Sequence, residues 1–547
     1  MRKSSIAVIG LFLLLYILPL GVRPIFIPDE VRYAEIPREM IVSGDWIVPH
    51  IDGLRYFEKP VLGYWLNATA MILFGQNPFA LRFPSAMTVG ISALIVFLLV
   101  QRFAGGYWSG IIAAVGLLTC LEVFAVGVSN LLDSVFSMFI TLAMASFFFA
   151  YRESRSGTRT CVLALSGIFC GLAFLTKGFI AFVILAVAIV PFMIWERQWK
   201  ALVKVPWLPI ITAILVSLPW CVMIHLREHD FWHQFFWVEH VKRFTSPIGD
   251  QHPEPFWFYF PIMMGGALPW SALLPMVIPV LRRLRLKDPL MRFAICWFMF
   301  PLLFFSASRG KLVTYILPCF PPLIILITVG LMNYLARGKQ TGFTIVALSL
   351  AALMGIASAL LLLIQMTSLP GFKIYGVTET WKWILGGGVL LAGSLLLVLA
   401  SKAADSRRKI ILYCAAPIIA MLNSHFIIPD QVKTEKAPGA FLLYHSPRVT
   451  PDTILVSDKR LVNAVCWFYQ RDDVFLVNKG ELEYGLGYDD SKHRHLDLDR
   501  FGTLFNKDFN EKNVVFIITR NLYTKYKYLF PKPEFEDISG DVVFAQF

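Results

Sequence analysis

The acidic residues that flank the apolar segments of this sequence are its first candidates for chemistry. Asp29 and Glu30 directly follow the first apolar segment, and Asp133 begins a later one. A charge at the centre of a membrane costs about 2.5–3.5 kcal/mol, and less toward the membrane surface. Such acids can simply mark the water-exposed ends of helices. The alternative is that Asp29 and Asp133 meet in a cavity, where two carboxylates could orient a reacting group or stabilise positive charge.

Basic residues form a second group, in the segments that the predicted topology places outside the cytoplasm, where positive charge is usually scarce. They are Arg32, Arg38, Arg55, Lys59, Lys177, Lys242, Arg243, Arg309 and Lys311. A single such side chain can simply extend its charge to lipid headgroups. Nine together predict a positive field for an anion at the membrane surface, and Arg and Lys are the side chains that bind phosphate.

A metal site is the third candidate. Glu58 and His240 could together support a divalent ion, although the chain has no ligand spacing of the HExxH kind. A hydrogen-bonded histidine at the membrane surface explains His240 without a metal. The sequence also has no P-loop, GxSxG elbow or GxGxxG strand-turn, so we expect no soluble nucleotide-sugar donor. No cofactor is predicted to be required, and a divalent metal is the one candidate.

The composition predicts the medium in which these residues work. Of the 547 residues, 57% are hydrophobic and only 16% are charged, whereas a soluble domain has about 25% charged residues. Lipid must therefore be part of the solvent of this chain. The formal net charge of +13 does not indicate nucleic acid, because the cations lie in short segments between apolar runs and form no basic reading helix.

Thirteen apolar runs are long enough to cross a membrane as helices. Their limits are 6–22, 80–100, 109–128, 131–150, 161–175, 179–195, 205–225, 256–280, 293–306, 312–335, 344–366, 383–400 and 410–428. Short basic segments alternate along the chain, as at Arg152, Arg155 and Arg159, and the positive-inside rule places them in the cytoplasm. With the N-terminus inside, thirteen spans place the C-terminus outside.

Two outer regions are predicted to carry further structure. In the loop 24–79, segments 34–40 and 61–74 are expected to form amphipathic helices along the membrane surface, with aromatic residues at headgroup depth. These aromatics are Tyr33, Trp46, Tyr56, Tyr64 and Trp65. The chain divides into a transmembrane domain, 1–429, and an α/β domain, 430–547, without a catalytic residue of its own. Strands are predicted at 453–456, 474–477, 514–519 and 542–547, with helices at 461–470 and 498–505.

Three long motifs resemble a known family. They are PDEVRYAEI at 28–36, SGDWIVPH at 43–50 and LRYFEKP at 54–60. Shorter matches follow at 176–179, 235–240, 310–312, 470–473 and 484–486, so the resemblance covers the whole chain. In this order the motifs are similar to those of the ArnT family, the undecaprenyl phosphate–α-4-amino-4-deoxy-L-arabinose arabinosyltransferases.

The resemblance implies a fold, a reaction and partners. The fold is a mostly α-helical GT-C architecture, related to protein O-mannosyltransferases. The reaction is transfer of the amino sugar from undecaprenyl phosphate to lipid A phosphate, which lowers the negative charge of the cell surface and confers polymyxin resistance. The expected partners are the lipid-linked donor, the lipid A acceptor and membrane lipids, with no nucleic acid. The protein is expected to be a multi-pass monomer in the inner membrane, with its active site and C-terminal domain in the periplasm.

The resemblance also maps residue roles onto this sequence. The family's two functional acids correspond to Asp29 and Asp133, and its lipid-phosphate contacts correspond to Arg32, Lys59 and Arg243. With the outer cations, the predicted substrate-binding set is Glu30, Arg32, Arg55, Lys59, Lys177, Arg243, Lys311 and Tyr315. Val313 departs from the family pattern, in which a proline is common after Lys-Leu, while Lys311 and Tyr315 match it.

Two alternatives stay open on the sequence. One is another polyprenyl-phosphate-dependent GT-C glycosyltransferase, such as one of the protein O-mannosyltransferase kind, in which Asp29 would be a general base. The other is a transporter or flippase for a lipid-linked sugar. Transporters usually contain inverted repeats and broken helices at mid-membrane, and this sequence shows no such internal repeat.

Overall fold

Apolar segments separated by short polar turns fold here into a bundle of helices. The structure is a computed structural model that describes residues 3–242, 253–284, 288–338, 340–367, 373–496 and 513–547. The α-helices of the first part are α1 (Lys3–Phe12), α2 (Asp29–Ser43), α3 (Leu62–Phe74), α4 (Pro78–Val100), α5 (Gly106–Leu118), α6 (Leu121–Gly127), α7 (Leu132–Arg152), α8 (Ser156–Lys177), α9 (Ile180–Trp195), α10 (Trp199–Lys204) and α11 (Trp207–Arg227). π-Helical turns lie at Leu13–Ile17, Gln101–Gly105 and His233–Lys242.

The bundle continues with α12 (Tyr259–Gly266), α13 (Leu274–Leu284), α14 (Pro289–Ala307), α15 (Phe320–Ala336), α16 (Thr341–Met366), α17 (Thr380–Lys402) and α18 (Ser406–Ser424). 3₁₀ turns precede four of these helices, at Phe256–Phe258, Trp270–Leu273, Val313–Cys319 and Val377–Glu379. The C-terminal part adds α19 (Asp430–Lys436), α20 (Gly439–Tyr444), α21 (Val462–Tyr469) and α22 (Arg520–Tyr526).

The helices confirm a polytopic membrane protein. Within the described ranges, eight helices are long and apolar enough to span a membrane, and a ninth if Phe256–Gly266 and Trp270–Leu284, bent by 97°, form one span. Three shorter apolar helices are Ser4–Ile17, Leu62–Phe74 and Ile180–Trp195. Each of the thirteen predicted runs contains at least one helix, and the count of thirteen crossings stays a prediction.

The continuous apolar stretch Pro78–Leu118 is not one straight helix. Gly105 and Gly106 have φ values of 155° and 75°, which a residue with a Cβ rarely adopts. The chain reverses there, so that a Cβ on Gly110 would lie 2.9 Å from the carbonyl oxygen of Phe97. A straight helix would separate these two residues by about 20 Å. α4 and α5 therefore pack side by side, as the two separate predicted runs require.

Helix α2 lies inside the protein, and this corrects one expectation. The acidic residues Asp29 and Glu30 occupy its first turn, where their negative charges interact favourably with the positive end of the helix dipole. Gly44, in the left-handed conformation, ends the helix. Its residues 30–40 are all buried, because α21 of the C-terminal part packs against it. Tyr33, like Tyr56 and Tyr64 beyond the helix, is therefore covered by protein rather than placed at headgroup depth.

The C-terminal part is an α/β domain built on one mixed sheet. The strands are β3 (Ile454–Ser457), β4 (Phe475–Leu476), β5 (Val514–Thr519), β6 (Phe535–Ser539) and β7 (Val542–Gln546), and a short hairpin in the first loop provides β1 (His50–Ile51) and β2 (Leu54–Arg55). The sheet order is β4-β3-β5-β7-β6, with parallel pairs around β3 and antiparallel pairs around β7. Helix 461–470 is found as α21, whereas the predicted helix 498–505 lies outside the described residues. β6 was not predicted, because three of its five residues, Glu536, Asp537 and Ser539, are polar and its sequence therefore resembles a loop.

Candidate active site

Asp29 and Arg32 stand one turn apart on α2 and pair with each other. Nη2 of Arg32 donates to Oδ1 of Asp29, as residues at i and i+3 of a helix can. The Asp29 side chain is 48% exposed, so one face of its carboxylate is open to a ligand. The Arg32 side chain is buried, and its Nη1 donates to Glu481 and lies 3.7 Å from Oε2 of Glu58. Arg32 is thus the centre of a charged group made of three acids from distant parts of the chain.

Asp133 pairs with a different cation. It occupies the first turn of α7, and Lys177 ends the neighbouring helix α8, so the antiparallel packing of the two helices brings them together. The Nζ atom of Lys177 lies 2.6 Å from Oδ1 of Asp133. The same ammonium lies 4.8 Å from the ring centre of Tyr315, which favours the cation electrostatically.

A cavity of about 130 Å³ lies beside these pairs, and we call it the lysine cavity. Its polar lining is Glu58, Lys59, Lys177, Glu239, Ser308 and Tyr315, and its apolar lining is Phe136, Ile180, Phe304 and Phe305. Two ammonium groups and the carboxylates of Glu58 and Glu239 therefore face one space whose remaining lining is largely aromatic. Such a site suits an anion that carries an apolar group, because desolvated cations bind phosphate more strongly than exposed ones.

Glu58 organises the edge of the lysine cavity. Its Oε1 accepts a hydrogen bond from Nζ of Lys59 at 3.2 Å, and its Oε2 accepts one from the hydroxyl of Tyr56. Burial and the nearby Glu58 carboxylate raise the pKa of Tyr56 well above its ordinary value, so the hydroxyl stays protonated and continues to donate. The Lys59 ammonium is thereby held at the cavity by a fixed partner.

The starts of α2 and α7 are tied to each other. The backbone N–H of Asn130 donates to Oε1 of Glu30, and its side-chain amide donates to the carbonyl of Glu30, both at 3.1 Å. Asp29 precedes Glu30, and Asp133 follows Asn130 by three residues. The segments that carry the two predicted catalytic acids therefore meet at one junction, and a cavity shared by Asp29 and Asp133 stays a prediction.

Glu30 was predicted to contact the substrate, but its surroundings are those of a structural ion pair. Its two oxygens accept six hydrogen bonds, from the guanidinium groups of Arg23 and Arg82 and from the backbone N–H groups of Phe26 and Asn130. Burial alone would raise the pKa of Glu30, but the hydrogen bonds and charges of Arg82 and Arg23 lower it to about 2. No lone pair is left for a substrate, so we assign Glu30 to holding this junction together.

Two further predicted substrate contacts are occupied by protein. Arg55 pairs with Glu228 at 3.1 Å and with Asp490 at 2.9 Å, and its guanidinium stacks 4.3 Å from the ring centre of Tyr488. The ammonium of Lys311 is buried and donates to the carbonyls of Glu254, at 2.7 Å, and Ser308. Arg55 therefore helps to dock the C-terminal domain, and Lys311 braces the Ser308 side of the lysine cavity.

The metal hypothesis is not decided by the structure. Arg243 and the side chain of His240 lie outside the described residues, so neither can be placed against the lysine cavity. In the part of the chain that is described, no three His, Cys, Asp or Glu side chains come together in a way that could hold a metal ion. The pair of Glu58 and His240 stays a prediction.

The sequence did not predict that the C-terminal domain contributes to this site. Glu481, in the turn Gly480–Leu482, reaches Arg32 across 449 residues of chain. A second contact between the C-terminal domain and the first loop joins Arg494 to Asp52 at 2.6 Å. Burial raises the pKa of Asp52 to about 7, although the charge of Arg494 opposes this shift. The sequence signals in this domain were the short matched motifs at 470–473 and 484–486, because an acid in a polar loop is not distinctive by itself.

Known proteins match both halves of this architecture. A profile for dolichyl-phosphate-mannose-protein mannosyltransferases matches residues 3–235, and one for the C-terminal domain of arabinosyl transferase ArnT matches residues 433–546. An undecaprenyl phosphate-alpha-4-amino-4-deoxy-L-arabinose arabinosyl transferase of Shewanella sediminis is 40% identical over 515 residues, which is 92% of each chain. The enzyme of the same name from Aeromonas hydrophila is 38% identical over 89% of this chain and 88% of its own.

The fold has a solved counterpart. The crystal structure of ArnT from Cupriavidus metallidurans bound to undecaprenyl phosphate superposes with a TM-score of 0.82 at 20% identity, covering 100% of this chain and 98% of that one. The helical bundle, the attached α/β domain and the matched profiles define a polytopic membrane glycosyltransferase of the GT-C architecture. The chain belongs to the ArnT family, as its identity of 40% with a curated member over nearly the whole length shows. The resemblance drawn from the motifs is thereby confirmed.

Proposed function

We propose that this protein transfers 4-amino-4-deoxy-L-arabinose from undecaprenyl phosphate to a phosphate of lipid A at the periplasmic face of the inner membrane. The observation that carries the proposal is the lysine cavity, in which Lys59 and Lys177 face one space with aromatic lining. Asp133 pairs with Lys177 there, and Asp29 is linked to Glu58 of the same cavity through Arg32. Relatives that align with nearly the whole chain carry the name of this activity. Replacing phosphate charge by an amino sugar would weaken the binding of cationic peptides such as polymyxin.

The donor phosphate is assigned to the lysine cavity. Lys59 and Lys177 would bind its oxygens, and Phe304 and Phe305 would contact the first isoprene units. A phosphate oxygen of the acceptor attacks the anomeric carbon of the sugar, and the bond from that carbon to the donor phosphate oxygen breaks. The electron pair leaves with undecaprenyl phosphate, whose charge the two ammonium groups stabilise.

The two acids act on the sugar in this scheme. The attacking phosphate oxygen is already ionised near neutral pH, so no general base is needed. Asp29 and Asp133 would instead bind the amino group of the sugar or stabilise positive charge at its anomeric carbon. No cofactor enters the reaction as written. A divalent ion at Glu58 and His240 is a separate proposal, and loss of activity in a chelator that returns on adding the metal would support it.

Mass analysis of lipid A tests the function directly. Cells that express the protein should contain lipid A heavier by one aminoarabinose per modified phosphate, and cells that lack it should not. A sugar found on protein hydroxyls instead would favour the protein O-mannosyltransferase alternative. Movement of the lipid-linked sugar across the membrane without any transfer would favour a flippase.

Sidedness is tested by thiol labelling, and the structure selects the positions. Ser43, Ser156 and Asp489 are all exposed. In a cysteine-free background, Ser43→Cys and Asp489→Cys should react with a membrane-impermeant reagent in intact spheroplasts, and Ser156→Cys only after lysis. The opposite pattern would place the lysine cavity in the cytoplasm and contradict a periplasmic reaction. We also propose a monomer, which native mass spectrometry in detergent can check.

A further inference from the structure

A second cavity lies on the other side of Arg32 from the lysine cavity, and we call it the histidine cavity. Its volume is about 430 Å³. Its lining includes Arg23, Asp29, Phe124, Ala125, Ser129 and His425. Arg32 separates the two spaces, because its Nη2 donates to Asp29 of the histidine cavity while its Nη1 lies 3.7 Å from Glu58 of the lysine cavity.

The start of α7 forms the rest of the wall between the two cavities. Leu131 lines the histidine cavity and Phe136 lines the lysine cavity, with Asp133 between them in sequence. Asp29 lines the histidine cavity, and Asp133 pairs with Lys177 of the lysine cavity, so we infer that both candidate acids lie near the boundary between the two cavities. A direct displacement at a sugar carbon needs this arrangement, because the attacking group and the leaving group occupy different sides of that carbon.

His425 is the unexplained polar group of the histidine cavity. It follows the last residue of α18, its ring packs edge-on against Phe124 with centres 5.8 Å apart, and the residue is only 5% exposed. Its Nε2 has no hydrogen-bond partner among the residues that the structure describes. Burying a polar nitrogen without a partner is unfavourable, and because the His425 ring lines the cavity, a ligand held there can supply the missing partner.

The surroundings indicate what kind of ligand fits. Arg23 and Arg82 together bind the single carboxylate of Glu30, which leaves positive charge beside His425, while the carboxylate of Asp29 lines the same cavity and pairs with Arg32. The positive charge beside His425 favours an anionic group there. The rim is apolar and open, since Leu121 and Ala125 line the cavity and are exposed, and Phe426 next to His425 is exposed as well. An anionic headgroup on a lipid combines these two properties.

We propose that the histidine cavity receives the phosphate headgroup of the acceptor lipid and that Nε2 of His425 donates a hydrogen bond to it. The inference rests on the proposed function in taking the acceptor to be a phosphorylated lipid. The donor then approaches Asp29 and Arg32 from the lysine cavity and the acceptor approaches from the opposite side. His425 is a positioning residue, since it touches the headgroup but not the carbon that reacts.

Steady-state kinetics of the full-length enzyme with purified donor and purified lipid A tests the proposal. His425→Phe keeps the ring against Phe124 but removes the donor, and it should raise the apparent KM for lipid A about tenfold, the effect of losing one hydrogen bond to a charged group. The KM for the donor should not change. His425→Gln, whose amide nitrogen can reach the position of Nε2, should restore most of the affinity for lipid A.

A second variant does not depend on how His425 affects folding. Ala125→Trp fills the open side of the histidine cavity and should also raise the KM for lipid A while binding of undecaprenyl phosphate stays unchanged. An unchanged KM for lipid A in both His425→Phe and Ala125→Trp, with wild-type transfer intact, would overturn this inference and leave the proposed function standing. An effect of both variants on the donor KM alone would also overturn it. Absence of transfer by the wild type would instead overturn the proposed function.

Discussion

Two neighbouring carboxylates, Asp29 and Glu30, lie in charged clusters of opposite design. Glu30 is enclosed by Arg23, Arg82 and backbone N–H groups, and its side chain is only 6% exposed. Asp29 pairs with the guanidinium of Arg32, which also contacts Glu58 and Glu481. The Asp29 side chain is 48% exposed at the edge of a cavity. A fully bonded ion stabilises one arrangement of the backbone, whereas a partly bonded ion can still accept a ligand. The difference separates residues that hold the site from residues that can act in it.

The clusters also differ in which parts of the chain they join. The Glu30 cluster connects only segments of the helical domain, namely the segment that leads into α2, the residues just after α6, and α4. The Asp29 cluster includes Glu481 of the C-terminal domain and Glu58 of the first loop. The first cluster can therefore form as the helices pack, and the second is complete only when the C-terminal domain docks. The candidate active site thus depends on both domains, although its acids come from one.

The largest effect that separates the clusters is expected from Asp29→Asn. It should lower sugar transfer on the order of 1,000-fold, because the neutral amide cannot stabilise positive charge on the sugar. Stability should change little, since the side chain is half exposed. Transfer is measured by mass analysis of lipid A at matched expression, with Asp489→Asn, at a fully exposed acid, as the control. Near-normal transfer would mean that Asp29 only marks the end of a helix.

Glu30→Gln should produce the opposite result. Removing the carboxylate leaves Arg23 and Arg82 buried without their counter-charge, and breaking such a pair typically costs about 3–5 kcal/mol. The melting temperature in detergent should fall, while transfer per folded molecule stays within a few fold of wild type. A stable Glu30→Gln protein that has lost transfer would place Glu30 in the reaction and remove the distinction between the two clusters.

This distinction was not available from the sequence. Length, polarity and apolar periodicity predicted the helical domain and the attached α/β domain, because burial of apolar segments in lipid depends on composition alone. Asp29 and Glu30 look equivalent in a motif, and their roles are decided by a rotation of about 100° around the helix. The partners that decide them are remote, since Arg82 lies 52 residues from Glu30 and Glu481 lies 449 residues from Arg32. Pairings of this kind follow from the packed structure only.

Acid should affect the Glu30 cluster more than the Asp29 cluster. Because the folded pKa of Glu30 is about 2, below the ordinary 4.5, its contribution is complete above pH 4.5 and is lost as the pH falls toward 2. The difference corresponds to about 3 kcal/mol of unfolding free energy. Thermal unfolding in detergent at pH values from 6 to 3 should show this loss in wild type and in Asp29→Asn, and much less of it in Glu30→Gln. Equal acid sensitivity in all three proteins would assign the effect to other carboxyl groups.

The smallest effect is expected at Lys59, which tests whether the lysine cavity binds the donor phosphate. A hydrogen bond from a cation to a phosphate contributes about 1.5–3 kcal/mol, so Lys59→Ala should weaken donor affinity about 10- to 100-fold. The same change is expected for Arg243→Ala, at a position outside the described residues.

Donor titration in a reconstituted assay measures the effect. The control is Lys492→Ala, which removes an exposed lysine that pairs with Asp489. Glu58 keeps Tyr56 and Arg32 as partners when Lys59 is removed, so stability should change little. The variant should raise the donor KM without changing that for lipid A. Unchanged donor affinity in both cation variants would mean that these side chains only reach lipid headgroups, and the charge beside Asp29 would then have no role in the reaction.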